Sequence, residues 1–304
     1  MISGKGLKHL LTLIKKETNI KAASVLVLLT LGLFGPGGSM AQTGESGRAD
    51  KFPYELKVEQ EAGLMITGTG LLYASIFGHS AKPPWEETPL LKLNRKDLPF
   101  FDRPATNNWR PALNRSREIL EPSLSLAAMG ALGTHGILSR IRNKDWSDLL
   151  TLSLMYFEGL YISTGGELLA KSLINRARPY AYNNSLSLDH RIRPGNNESF
   201  PSGNATLMFY NAAFISLLAL DLYPNERFSA YIIGGSFVIA ELSALWSVRS
   251  GMHFPSDVIS GAAWGSAVAF FINRIHRKGA RGLNIMPWMI SKGRGLLIRY
   301  RIQD

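Results

Sequence analysis

A chain of 304 residues, 45% of them hydrophobic, is long enough for one large or two ordinary domains and can supply a substantial core. Its formal net charge of +11 suits nucleic acid, a membrane surface or an anionic substrate. Much of that charge lies at the two ends, in Lys5, Lys8, Lys15, Lys16 and Lys21 and in the run from Arg274 to Arg281, and no recognisable nucleic-acid module is present, so no nucleic-acid partner is expected. The absence of cysteine excludes disulfides, thiolate metal sites and a cysteine nucleophile.

Lys15, Lys16 and Lys21 precede an apolar run from Ala22 to Phe34, a Gly-Pro-Gly-Gly break and Ser39-Met40-Ala41, a small-x-small cleavage signal. Residues 1–41 therefore read as a signal peptide for export, the alternative being an uncleaved anchor shorter than the ~20 residues a spanning helix needs. An extension over 42–112 follows, with a polar linker from Thr43 to Asp50, a helical pattern from Glu55 to Tyr73 and a Pro-, Trp- and Asn-rich loop from Lys82 to Pro111. Within that loop Asp102 and Arg103 read as a local ion pair.

Over 113–280 the sequence predicts five apolar helices, near Leu120–Ile141, Trp146–Ile174, Asn204–Leu222, Phe228–Trp246 and Asp257–Ile275. Three approach spanning length. Small residues, as in SGAAWGSAVA, permit close helix approach. If the helices span, the basic turn at Arg140, Arg142 and Lys144 and the tail after Arg274 lie on the cytoplasmic side, and the polar clusters on the exported side. A mean hydropathy near zero, with Glu158, Glu167 and Lys171 on one helix, also fits a soluble or half-embedded bundle. The tail, 281–304, alternates around Lys292-Gly293-Arg294-Gly295 and predicts a short β-hairpin.

Three polar clusters interrupt the helices: KSLINRARP (Lys171 to Pro179), SFPSGNA (Ser199 to Ala205) and SVRSGMHFPSD (Ser247 to Asp257). Lys171, Arg176 and Arg178 offer point charges and planar forks suited to a phosphate-like dianion, though basic residues also complement a helix C-terminus. Ser202 can cap the helix that follows, and the amides of Gly203 and Asn204 can cradle an anion; a plain N-cap has the same sequence. Asp257 suits a first helical turn, and a carboxylate accepting the Nδ1 proton of His253 would leave Nε2 as a nucleophile.

Together these clusters resemble the type 2 phosphatidic acid phosphatase (PAP2) superfamily, which includes bacterial acid phosphatases and vanadium haloperoxidases and carries the signature KxxxxxxRP, PSGH and SRxxxxxHxxxD. The first motif matches at Lys171, Arg178 and Pro179, the second at Pro201, Ser202 and Gly203, and the third at His253 and Asp257. The resemblance covers about Leu120 to Ile275. It implies an all-α, PAP2-like helical bundle in which Lys171, Arg178, Ser202 and the Gly203 amide hold phosphate. His253 would attack phosphorus with Asp257 orienting it, and neither a metal nor a cofactor would be needed.

Two positions depart from the signature. The PSGH histidine, which in the family protonates the leaving group, is Asn204, and the Ser-Arg pair is Trp246-Ser247. An amide cannot deliver a proton at neutral pH, and general acid help is worth ~10²–10⁴ in rate, so activity should shift toward pyrophosphates. Arg249 and His190 are the candidates to compensate, although Arg249 lies two residues along its helix and so on another face. The resemblance thus implies an exported, membrane-associated phosphatase acting on a phosphorylated lipid or a small phosphate compound. A phosphate- or lipid-binding member with impaired catalysis is the alternative. Vanadate-dependent peroxidation is disfavoured by the missing histidine and arginine.

Overall fold

The computed structural model describes residues 52–82, 85–113, 115, 122–123, 125–132, 146–224 and 226–278, together with the backbone of 283–290 and 293–300. The predicted signal segment, the predicted linker after it and the predicted basic turn at 140–145 lie outside the described residues, as does most of the predicted helix at 120–141, of which 125–132 is helical. The architecture is all-α. Among the described residues five long helices build it: α1 Val58–Ala81, α2 Ser147–Leu173, α3 Gly203–Leu222, α4 Arg227–Arg249 and α5 Pro255–His276. Four match the predicted helices to within a few residues, while α1 runs eight residues beyond Tyr73, to a last turn whose His79 lies 3.4 Å from Glu198. The 82–111 segment is loop with short helical turns at Glu87–Leu91, Arg95–Asp97 and Arg103–Asn107.

The core forms where α2, α3 and α5 meet. Met155, Tyr156, Met208, Tyr210, Phe214 and Ile272 are buried together, with the Tyr156 and Phe214 rings 5.4 Å apart in an edge-on pair. The small-residue run of α5 acts as its composition predicts. A Cβ on Gly261 would stand 2.4 Å from the Ser202 carbonyl and one on Gly265 would stand 2.1 Å from that of Thr206, so α3 and α5 touch backbone to backbone. That contact fixes the start of α3 against the start of α5, where the Ser202 amide donates to the Asp257 carbonyl at 2.9 Å.

Helices α3, α4 and α5 are long and apolar enough to cross a membrane. Helix α4 is the least covered, exposing Tyr231, Val238, Leu242 and Leu245. At the C-terminus β1 (Leu283–Ile290) and β2 (Gly293–Tyr300) pair antiparallel from Leu283–Tyr300 to Ile290–Gly293. Gly293, Arg294 and Gly295 belong to the second strand rather than to the turn.

Candidate active site

The end of α2, the starts of α3 and α5, the loop joining α4 to α5 and the 102–110 loop converge on one polar region. Gly251 makes the α4–α5 turn possible. Its φ of +81° is open to glycine, and a Cβ there would stand 2.2 Å from the Asn108 carbonyl. Asn108 Nδ2 donates to the Val248 carbonyl at 3.0 Å and the Tyr180 amide to the Gly251 carbonyl at 3.1 Å, so the turn is held from both sides.

His253 sits in this turn, 5% exposed. Its Nδ1 is 2.7 Å from the Ser199 carbonyl, which can only accept, so Nδ1 carries the proton. Nε2 is 3.2 Å from Nη1 of Arg178, which can only donate, so Nε2 presents a lone pair. Burial, opposed by Asp257 and assisted by Arg178 and Lys171, brings the imidazole down to about 4. At neutral pH the ring is therefore uncharged, with the lone pair of Nε2 facing a guanidinium.

Asp257 is placed differently from the expectation that it would accept the Nδ1 proton. Its Oδ2 stands 3.8 Å from Nδ1 and instead accepts from the Ser199 hydroxyl at 2.5 Å and the Phe254 amide at 2.8 Å. Orientation of His253 by Asp257 thus passes through Ser199, whose hydroxyl is held by the carboxylate while its carbonyl holds the ring. Ser199 opens the second cluster, and a residue acting through its main chain leaves no side-chain signature.

Arg176, grouped by sequence with the anion-binding cations, is already engaged. It bonds to Asp257, to Oδ2 of Asp102 at 2.6 Å and to the Ser256 hydroxyl at 2.7 Å, and its guanidinium lies 4.3 Å over the Phe254 ring. Asp102 is fully buried and also accepts from the Ser256 amide at 3.0 Å. The local Asp102–Arg103 pair does not form, because Arg103 turns to the Leu98 and Lys96 carbonyls. Arg178, five residues beyond the end of α2 in extended conformation, donates to the Gly195 and Met252 carbonyls at 3.1 Å each. Two arginines two positions apart are thus held in different ways, one by carboxylates and one by main chain.

Lys171, in the last turn of α2, meets the first turn of α3. A Cβ on Gly203 would lie 3.3 Å from Lys171 Nζ and 2.6 Å from Glu167 Oε1, so glycine leaves the lysine, the Glu167 carboxylate and the helix amides in one small space. The first amides of a helix lack intrahelical partners and favour an anion. The Ser202 hydroxyl caps the helix, accepting from the Ala205 amide at 3.3 Å. Glu167 pairs with Lys171 at 2.5 Å and competes with any added anion for it. In the sequence Glu167 is one of three charged residues on one helix, and its i,i+4 spacing to Lys171 is the signal for the pair.

The two divergent positions are buried and small. Asn204 donates to the Ser243 hydroxyl at 2.8 Å, while its Oδ1 and the Ser247 hydroxyl have no hydrogen-bond partner among the described residues. Arg249 is exposed, whereas Ser247 on the same turn is fully buried, so Arg249 points away from the space Ser247 faces. The His190 ring packs edge-on against Trp109 at 5.0 Å and Tyr180 at 5.6 Å. Burial and Arg193 lower its affinity for a proton, which opposes a role as an acid at neutral pH.

The PAP2 superfamily profile matches residues 148–281, a span that holds all three polar clusters. Among curated relatives it is 26% identical over 239 residues to a lipid A 1-phosphatase of Rhizobium etli, covering 69% of this chain and 94% of the relative. It is 28% identical over 211 residues to a lipid A 1-phosphatase of Rhizobium johnstonii, covering 60% and 78%. Among solved structures, a transmembrane PAP2-type phosphatidylglycerolphosphate phosphatase from Bacillus subtilis aligns at 19% identity with a TM-score of 0.41, over 69% of this chain and 96% of that one.

Proposed function

We propose that the chain is a membrane-bound lipid phosphatase that works through a phosphohistidine at His253. The observation that carries this reading is the tautomer: with Nδ1–H given to the Ser199 carbonyl, Nε2 is a lone pair held against Arg178. Nε2 attacks phosphorus, the P–N bond forms and the P–O bond to the leaving group breaks. Water then attacks the phosphohistidine, the P–N bond breaks and inorganic phosphate leaves. Lys171, Arg178 and the first amides of α3 neutralise the charge that builds on the phosphoryl oxygens. The lipid class is supported by the two lipid A 1-phosphatase relatives and by three helices of spanning length with an apolar face on α4. The exported side is assigned to this end of the bundle because the basic tail after Arg274, at the other end of α5, favours the cytoplasmic side.

Asn204 cannot protonate an alkoxide and is bonded to Ser243, so substrates whose leaving group is itself a phosphate are favoured over simple monoesters. The test is phosphate release from lipid pyrophosphates and their monophosphate counterparts by wild type and His253→Ala, with acid quenching to trap a phosphoenzyme. Turnover of both substrates that survives His253→Ala sinks the mechanism. A second reading, a phosphate-binding member with impaired catalysis, draws on the Glu167–Lys171 pair and the unpartnered Asn204 and Ser247 atoms. It predicts phosphate binding with no turnover of any substrate.

A further inference from the structure

Helices α1, α2 and α5 converge a second time, far from the phosphate cradle, where Glu61 of α1, Glu158 of α2 and His276 of α5 meet in the interior. Nineteen residues of α5 separate His276 from Asp257, a span of ~28 Å along the helix. The side chains of Glu158 and His276 are completely buried and that of Glu61 nearly so.

Three features point these groups at a common centre. The His276 Nδ1 is 2.8 Å from the Ile272 carbonyl, so Nδ1 carries a proton and Nε2 faces the two carboxylates. Glu61 Oε1 accepts from the Lys57 amide at 3.2 Å, which turns Oε2 inward. Neither carboxylate oxygen of Glu158 has a hydrogen-bond partner among the described residues.

His276 Nε2 lies 3.2 Å from Glu61 Oε2 and 3.2 Å from Glu158 Oε2. An imidazolium has one hydrogen to give at Nε2, and a charge-assisted bond would draw one carboxylate to ~2.7–2.9 Å. The other carboxyl group must then either keep its proton or remain a buried charge without a partner, the second of which is strongly unfavourable. A tetrahedral ion with bonds of ~2.0–2.1 Å instead holds its ligand atoms about 3.3 Å apart, close to both observed separations. One imidazole nitrogen with two carboxylate oxygens is a donor set for a transition metal rather than for calcium or magnesium, which favour oxygen alone.

We propose that Glu61, Glu158 and His276 bind one divalent transition-metal ion, zinc in the first instance, with water at the remaining position. The ion ties α1, α2 and α5 together at the end of the bundle away from the phosphate cradle and takes no part in phosphoryl transfer. The inference stands independently of the proposed activity.

The test uses the full, untagged chain in detergent, stripped with chelator and then equilibrated with Zn²⁺ or Co²⁺. One zinc per chain should be retained after dialysis, by elemental analysis, in wild type and in His253→Ala alike. Saturating zinc should raise Tm by about 5 °C. Co²⁺ should give the visible absorption of a tetrahedral site, and Glu158→Gln should weaken zinc binding at least 100-fold. No retained metal together with an unchanged Tm in wild type overturns the proposal, as does undiminished affinity in Glu158→Gln. Should that variant fail to fold, retention and the Co²⁺ spectrum of the wild type decide the matter alone.

Discussion

The two ends of the bundle handle buried charge in opposite ways. At the phosphate end, Asp102 and Asp257 are each met by Arg176 and by hydroxyl or amide donors, and Lys171, Arg178 and the helix amides are arranged around the small space beside Gly203. At the far end, neither oxygen of Glu158 has a hydrogen-bond partner among the described residues, and one imidazole stands 3.2 Å from both Glu158 and Glu61. Helix α5 runs between them, its N-terminus at the first and its C-terminus at the second, so its macrodipole favours an anion where Asp257 sits and a cation where His276 sits. One fold can thus be prepared for a negative guest at one end and a positive one at the other, and substitutions should separate the two.

The strongest separation comes from His253→Ala, which should lower turnover by at least ~10⁴-fold while leaving Tm and zinc retention as in wild type. Asn204→His comes next. Its new imidazole should raise monoester turnover by up to ~10²-fold with little gain on pyrophosphates, read as the ratio of kcat/KM between paired substrates. The effect falls short of the full value of a general acid because Ser243 competes for the side chain and Ser247 leaves the family's arginine unreplaced. Glu167→Gln releases Lys171 from its partner and should lower KM by ~3–10-fold with kcat unchanged; a fall in kcat would instead make Glu167 a proton donor.

The pH profile gives a finer measurement. His253 must be unprotonated to attack, and burial brings it down to about 4, so kcat/KM should hold as pH falls through 6.5 and decline only near 4. A decline centred near 6.5 would mean that the ring is solvated. Asp102→Ala tests stability instead. Removing one partner of a buried ion pair costs about 3–5 kcal/mol, so denaturant unfolding should show a loss of that order.

The helices were legible because long apolar runs broken by Gly, Pro and polar clusters leave few other solutions, and α2, α3, α4 and α5 fall close to their predicted limits. Motif spacing also picks out residues that the fold brings together, Arg178 beside His253 and Lys171 beside Gly203. What escaped is of another kind. Asp102 joins Arg176 across 74 residues of chain, which no local pattern reveals, and the sequence offered Arg103 as a nearer partner. Glu61, Glu158 and His276 come from three separate helices, each in a context that reads as an ordinary polar interruption. Ser199 serves His253 through a carbonyl, a group every residue possesses.

That last feature bears on how such a protein can diverge. The ring of His253 takes its orientation from the Ser199 carbonyl, and Arg178 is gripped by the Gly195 and Met252 carbonyls. The letter at 252 can therefore change without touching those bonds, whereas Ser199 must also keep the hydroxyl that Asp257 holds. Drift and selection can then rework the walls around a phosphoryl group without resetting the attacking nitrogen, so new substrates are reachable by steps that each leave a working nucleophile.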